Sequence, residues 1–302
     1  MKTKKGLAKI GYLFKETFSE CIDDNVLKLS AALSYYTIFS LPPLFIILTS
    51  LSGIFYKQQA IQGKLYGQMQ EFVGARAALQ IEEIIKSVSI FPHNVFAAVL
   101  GLIILVIGAS GIFSEIQASI NYIWGIKSKP KHGLIRFAIN RLMSFFMIAT
   151  AGFLLLMGLF ISSLADMLSK RIMADHPPET IYLYHIFNFL LLFILITFLF
   201  LAIFKSLLDG KVAFLDSLLG ASFTAILFMG GKYLIGAYLG NSSLGSVYGA
   251  AGSVILILAW IYYSAIILYF GTEFTKVYSK IYGKKIVPNN HTFLITKPER
   301  NL

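Results

Sequence analysis

Residues 247–271 read VYGAAGSVILILAWIYYSAIILYFG, twenty-five residues without one Asp, Glu, Lys or Arg. About 20 helical residues, rising roughly 1.5 Å each, cross a hydrocarbon layer of about 30 Å, so this run is long enough to span a bilayer. A core helix of a soluble protein would carry a polar face, and this run has none. Five more segments reach the same length. Val95–Phe113, Leu142–Ala165 and Ile181–Phe204 are also free of charge, Leu29–Tyr56 is uncharged but carries Pro42-Pro43 at its centre, and Ser217–Leu239 holds a single charge, Lys232.

Composition agrees with these runs. The 302 residues are 57% hydrophobic and 14% charged, against roughly 25% charged for a soluble domain, and the mean hydropathy is +0.72. The chain therefore reads as an all-α membrane protein with six transmembrane helices and amphipathic interfacial helices. Lys and Arg number 26 against 15 Asp and Glu, a net charge of +11. In a soluble protein that excess favours nucleic acid, whereas in a membrane protein it marks loops beside anionic lipid. Anionic membrane lipids are thus the expected partners, and nucleic acid is not. Nineteen of the 26 basic residues fall in the N-terminal segment, the second and fourth connections and the C-terminal tail. The positive-inside rule then places both termini in the cytoplasm. No apolar core of a signal peptide appears in the first 28 residues.

This orientation divides the chain into three parts. Residues 1–28 form an amphipathic cytoplasmic segment, with Ile10, Leu13, Phe14, Phe18, Cys21 and Ile22 at helical spacing opposite Lys9, Lys15, Glu16 and Glu20. Such a helix lies on the membrane surface or packs on its own bundle. Residues 29–273 form the six-span bundle, with an extracytoplasmic amphipathic insertion at 57–94. Residues 274–302 form a basic cytoplasmic tail, which reads as mobile after Lys285.

Polar and irregular features inside spans are the functional candidates, because hydrocarbon makes them costly. Pro42 and Pro43 each remove a backbone donor, and Pro43 disfavours helical geometry at Pro42, so the first span is expected to break there. The pair is read either as a structural kink or as part of a substrate path, lined by Tyr35 and Tyr36 before it. Lys232 follows Gly230-Gly231 and either snorkels to the outer interface or faces a cavity as a point charge for phosphate or carboxylate. Tyr248 completes the candidate path. Glu115 and Arg141 fall near the cytoplasmic ends of neighbouring spans and suit an ion pair there, and Trp124 suits an interfacial anchor. Asp216 and Glu273, at other cytoplasmic span ends, read as solvated. Gly236 with Gly240, and Gly245 with Gly249, are small-xxx-small pairs suited to helix packing, so a second copy of this chain is also among the expected partners.

Known chemistry is hard to find. One cysteine, Cys21, excludes an intrachain disulfide and any CxxC motif, and the five histidines show neither HxH nor HExxH spacing. No catalytic residues, metal or cofactor are expected, and no GxxxxGK[ST] motif is present for ATP-driven work.

Several long stretches together resemble the YihY/BrkB family of bacterial inner-membrane proteins. They are AALSYYTIFSLPPL at 31–44, GASGIFSE at 108–115 continuing through Asn121 and Trp124, and Lys232, Tyr248-Gly249 and Trp260. Pro43 stands where the family proline stands, while Pro42 replaces the usual small residue. The resemblance implies a six-span bundle in the inner membrane whose activity is not established. Members are described as virulence or serum-resistance factors and as transporters, with suggestions of cell-envelope lipid handling. An older transfer-RNA nuclease label finds no clustered metal ligands here.

The expectation is a transporter or flippase-like protein for a lipid or other anionic amphiphile. A membrane scaffold is the alternative, and an intramembrane enzyme acting on lipid head groups a further one. That enzyme would draw on Tyr35, Tyr36, Glu115 and Arg141.

Overall fold

The computed structural model describes residues 2–55, 79, 111–128, 179–241, 252–284, 286–289 and 292–295. Helices α1 (Lys2–Asp23) and α2 (Val26–Phe55) come first, then α3 over 111–123 and strand β1 (Ile126–Ser128). After α4 (Glu179–Ser206) the order is β2 (Gly210–Lys211), α5 (Phe214–Asn241), α6 (Gly252–Ile281), β3 (Val287–Pro288) and β4 (Thr292–Leu294).

Three of these helices are long and apolar enough to cross a membrane: Ile186–Ser206, Phe214–Tyr238 and Val254–Ile281. They coincide with the last three expected spans, although the third continues to Ile281 rather than stopping at Gly271. The extension holds Thr272, Glu273, Thr275 and Ser279, all buried, so its polar groups are covered by protein. The outward residues of α4 are apolar: Ile186, Phe187, Phe189, Leu190, Ile194 and Phe198 are all exposed. A helix with that outer surface suits lipid and not water. Leu142–Ala165, Val95–Phe113 up to residue 110, and the insertion at 57–94 apart from Leu79 lie outside the described residues.

The first expected span falls on α2, where no gap in the helix marks the expected break. α2 is one helical element from Val26 to Phe55, straight through Pro42-Pro43 in its secondary structure. The prolines remove the donors that would reach the carbonyls of Ile38 and Phe39, and the helix continues on its remaining backbone bonds. Four hydroxyls upstream bond within the helix. Ser30 donates to Val26 O, Ser34 to Ser30 O, Thr37 to Leu33 O and Ser40 to Tyr36 O, at 2.7–2.9 Å. This back-bonding satisfies the four hydroxyls within their own helix.

α1 and α2 are separated by Asp24-Asn25. Asn25 takes φ 53°, a left-handed conformation that Asn tolerates better than most residues. Its amide donates to Ile22 O, and its carbonyl accepts from the amides of Lys28 and Leu29. One residue thus closes one helix and opens the next.

The chain folds as two compact units, Met1–Phe18 with Ile120–Leu227 and Gly271–Leu302, and Ser19–Ser119 with Phe228–Phe270. In the first, Leu13, Phe274 and Val277 form a buried cluster with Phe223 and Tyr278 against it. The rings of Phe223 and Phe274 stack at 3.9 Å. α5 and α6 cross through reciprocal pairs: Gly220 lies against Thr275, and Gly271 against Thr224. Thr224 donates to Gly220 O and Thr275 to Gly271 O. Each helix therefore presents a glycine and, four residues on, a threonine whose hydroxyl is already bonded, which lets the two backbones approach closely.

The same unit holds both strand pairs. β1 runs antiparallel to β4, with Ile126 opposite Leu294 and Ser128 opposite Thr292, and β2 runs antiparallel to β3, with Gly210 opposite Pro288. The tail after Lys285, read from its sequence as mobile, is thus ordered over these strands. In the second unit, Ile235 and Leu256 are buried with Ala259, Trp260 and Tyr263 packed against them. A Cβ at Gly231 would stand 2.8 Å from both Tyr263 Oη and Ile267 Cδ1, so Gly231 serves a close contact between α5 and α6.

Candidate functional site

In the second unit, α3 brings polar residues against α2 and α6. At Gly111 a Cβ would lie 3.3 Å from the Tyr36 ring, so α2 and α3 touch there. One turn on is Glu115, and one further turn on is Ser119, which donates to Glu115 Oε1 at 3.4 Å. Tyr269 of α6 is fully buried and faces Ser119 and Glu115. Its hydroxyl lies close to the Ser119 side chain but meets no partner at strict hydrogen-bond geometry among the described residues. A buried, unsatisfied hydroxyl costs about 1–3 kcal/mol; Thr197 Oγ1 and Trp260 Nε1 share that state within the spans, and Tyr269 lies beside the Glu115 carboxyl group. Glu115 thus stands with Ser119 and Tyr269; its expected partner Arg141 lies outside the described residues.

Lys232, in the same unit, is half-buried. Its Nζ stands 5.2 Å from the ring centroid of Tyr233, which is exposed. A cation over an aromatic face is stabilised by the ring quadrupole. Tyr35 and Tyr36 are both exposed, with ring centroids 6.1 Å apart, and Tyr35 also packs on Phe39 at 4.7 Å. Gly236 has open space where a Cβ would stand. Tyr248, Gly245 and Gly249 lie outside the described residues, as does the surrounding of Gly240.

A second polar constellation, in the first unit, holds connecting segments together. Asn121 Nδ2 donates to Asp209 Oδ2 at 3.1 Å, and the Asp209 amide donates back to Asn121 Oδ1 at 2.9 Å. The Asp209 carbonyl accepts from the Asn289 amide at 3.1 Å and from Thr292 Oγ1 at 3.0 Å. Lys205 Nζ donates to Val212 O across the same loop. Beside it, Gly125 (φ 65°) accepts at its carbonyl from the Ile295 amide at 2.7 Å. Asp209-Gly210, between apolar flanks, is a turn signal in the sequence, and it was the trace from which this latch was detectable.

Two acidic residues read as solvated are buried. Asp216 Oδ2 accepts from Ser279 Oγ at 3.3 Å and from the Lys284 amide at 3.2 Å, and Gly283 packs on the same carboxylate. Glu273 is fully buried and paired with Lys276 at 2.9 Å. Asp216 sits in the first turn of α5, where free backbone groups leave room for such partners, whereas Glu273 lies inside α6, which continues past the expected span end to Ile281. Trp124, expected as an interfacial anchor, is also buried.

Long apolar helices with apolar outer faces and internally bonded hydroxyls define a helical membrane protein. The chain belongs to the family described as Virulence factor BrkB, whose sequence model matches residues 17–292. It is 25% identical over 267 residues to the UPF0761 membrane protein of Saccharophagus degradans, covering 88% of this chain and 59% of that one. It is 26% identical over 281 residues to a UPF0761 membrane protein of Vibrio vulnificus, covering 91% and 83%. An Alcanivorax borkumensis UPF0761 membrane protein is 27% identical over 266 residues, covering 84% and 57%. This chain therefore spans somewhat less than two thirds of two of these three relatives. No solved structure matches it.

Proposed function

We propose that the chain is a six-span bundle of the bacterial inner membrane, with both termini cytoplasmic, that moves a lipid or another anionic amphiphile across or along the bilayer. The observation that carries this reading is the buried Tyr269 hydroxyl beside Ser119 and Glu115. A polar group maintained at a cost inside a span suits a ligand or proton path better than a packing contact. Lys232 over Tyr233 adds a cation that suits an anionic head group near the other membrane face. The carbonyls of Ile38 and Phe39, left without donors by Pro42-Pro43, add a local weak point in α2.

The test is lipid flux in liposomes and native mass spectrometry from nanodiscs, on the wild type and on Lys232→Ala, Arg141→Ala and Tyr269→Phe. A retained anionic lipid, with flux falling about tenfold in Tyr269→Phe at unchanged stability, is expected, since truncating an unsatisfied hydroxyl leaves nothing unpaired. Wild-type flux in all three variants would remove the assignment. The scaffold reading keeps one observation in its favour, the uncovered Gly236 position on α5. Membrane crosslinking at that position tests it, and a purely monomeric yield would end it.

A further inference from the structure

Helix α1 has two apolar faces, and the bundle covers one of them. Leu13 is buried in the cluster with Phe274 and Val277, and Thr17, fully buried, donates to Leu13 O at 2.8 Å. Beside this face Ile10, Phe14, Phe18 and Ile22 follow at four-residue intervals along one side of the helix. They are exposed to 52%, 41%, 63% and 71%. In water such a stripe would be an aggregation hazard.

The depth of α1 identifies what covers the stripe. The Phe14 ring lies 5.8 Å from Phe223 and 5.9 Å from Phe274. Phe223 stands nine residues, about 14 Å, from the start of the candidate span Phe214–Tyr238, and Phe274 lies three residues beyond the charge-free run that ends at Gly271. Phe14 therefore stands at the border between apolar span and charged helix ends, the level at which acyl chains meet head groups. Lys15 is exposed and flanks the stripe on the side away from Leu13, where its stem can follow the apolar surface while the ammonium reaches phosphate.

We propose that α1 is an in-plane helix embedded in one leaflet, its Ile10–Phe14–Phe18–Ile22 stripe covered by acyl chains and Lys15 set at the phosphate layer of anionic lipid. Most of this helix precedes residue 17, where the family match begins. The surface stands whether or not the bundle moves lipid.

The full-length protein tests it in nanodiscs of phosphatidylglycerol or phosphatidylcholine. In a Cys21→Ser background, a single environment-sensitive fluorophore is attached through Phe18→Cys or through Lys9→Cys, which lies half a turn away on the polar side. The label at 18 is expected to emit in the blue, to be quenched by doxyl-labelled acyl chains and to resist iodide about threefold better than the label at 9. Acyl-chain quenching at 18 should be stronger in phosphatidylglycerol, and Lys15→Gln should abolish that difference. Equal iodide access at 18 and 9 overturns the proposal. So does iodide protection at 18 without acyl-chain quenching, which would mean a protein surface covers the stripe. Lipid-independent quenching at 18 overturns the role given to Lys15.

Discussion

Single residues in this protein are decided by what stands within a few ångströms of them. Gly283 carries no signal in the sequence and Gly236 belongs to a small-xxx-small pair, yet a Cβ at the first would collide with the Asp216 carboxylate while a Cβ at the second would meet nothing among the described residues. Gly283→Ala should therefore push Asp216 off the Lys284 amide and Ser279, and cost about 1–3 kcal/mol. Gly236→Ala should change stability by less than about 0.5 kcal/mol. Thermal unfolding of the two variants in the same detergent checks the contrast; equal melting temperatures would refute it. The burial of Asp216 and Glu273 shows why span-end acids were misread. A carboxylate near a helix terminus looks the same in sequence whether water, a backbone amide or a lysine one turn away satisfies it.

Elements are held by pairings between distant parts of the chain. The α5–α6 crossing depends on Gly220 and Thr275 and on the reciprocal Thr224 and Gly271. Gly220→Ala should cost about 2 kcal/mol through overpacking. Combining it with Thr275→Gly should recover part of that loss, giving a coupling of about 1–3 kcal/mol. Strict additivity in a double-mutant cycle would show that the two positions do not meet. The sequence also offered Gly236, Gly240, Gly245 and Gly249 as packing positions, of which Gly245, Gly249 and the surroundings of Gly240 lie outside the described residues; spacing alone cannot say which small residue faces a neighbour. The strand pairs make a parallel case. Thr292→Val removes donation to the Asp209 and Asn289 carbonyls, so amide exchange over residues 286–295 should rise about tenfold, near one net hydrogen bond. Exchange at the wild-type rate would show that Thr292 does not hold the tail.

For the whole molecule, the strongest expectation is its orientation. A C-terminal green fluorescent protein fusion should fluoresce, and an alkaline phosphatase fusion at the same place should be inactive, as a cytoplasmic tail requires; the reverse pattern would invert the topology drawn from the basic residues. Hydropathy and charge are one-dimensional quantities summed over the chain, so the membrane class, the three spans seen at Ile186–Ser206, Phe214–Tyr238 and Val254–Ile281 and the family membership were determined by the sequence itself. The continuity of α2 through two prolines, the ordering of the tail against Asp209, and the meeting of Glu115, Ser119 and Tyr269 were decided only by the tertiary structure. Each of these depends on helix rotation and on partners far along the chain, and a backbone group or hydroxyl in lipid goes wherever the fold offers it a partner.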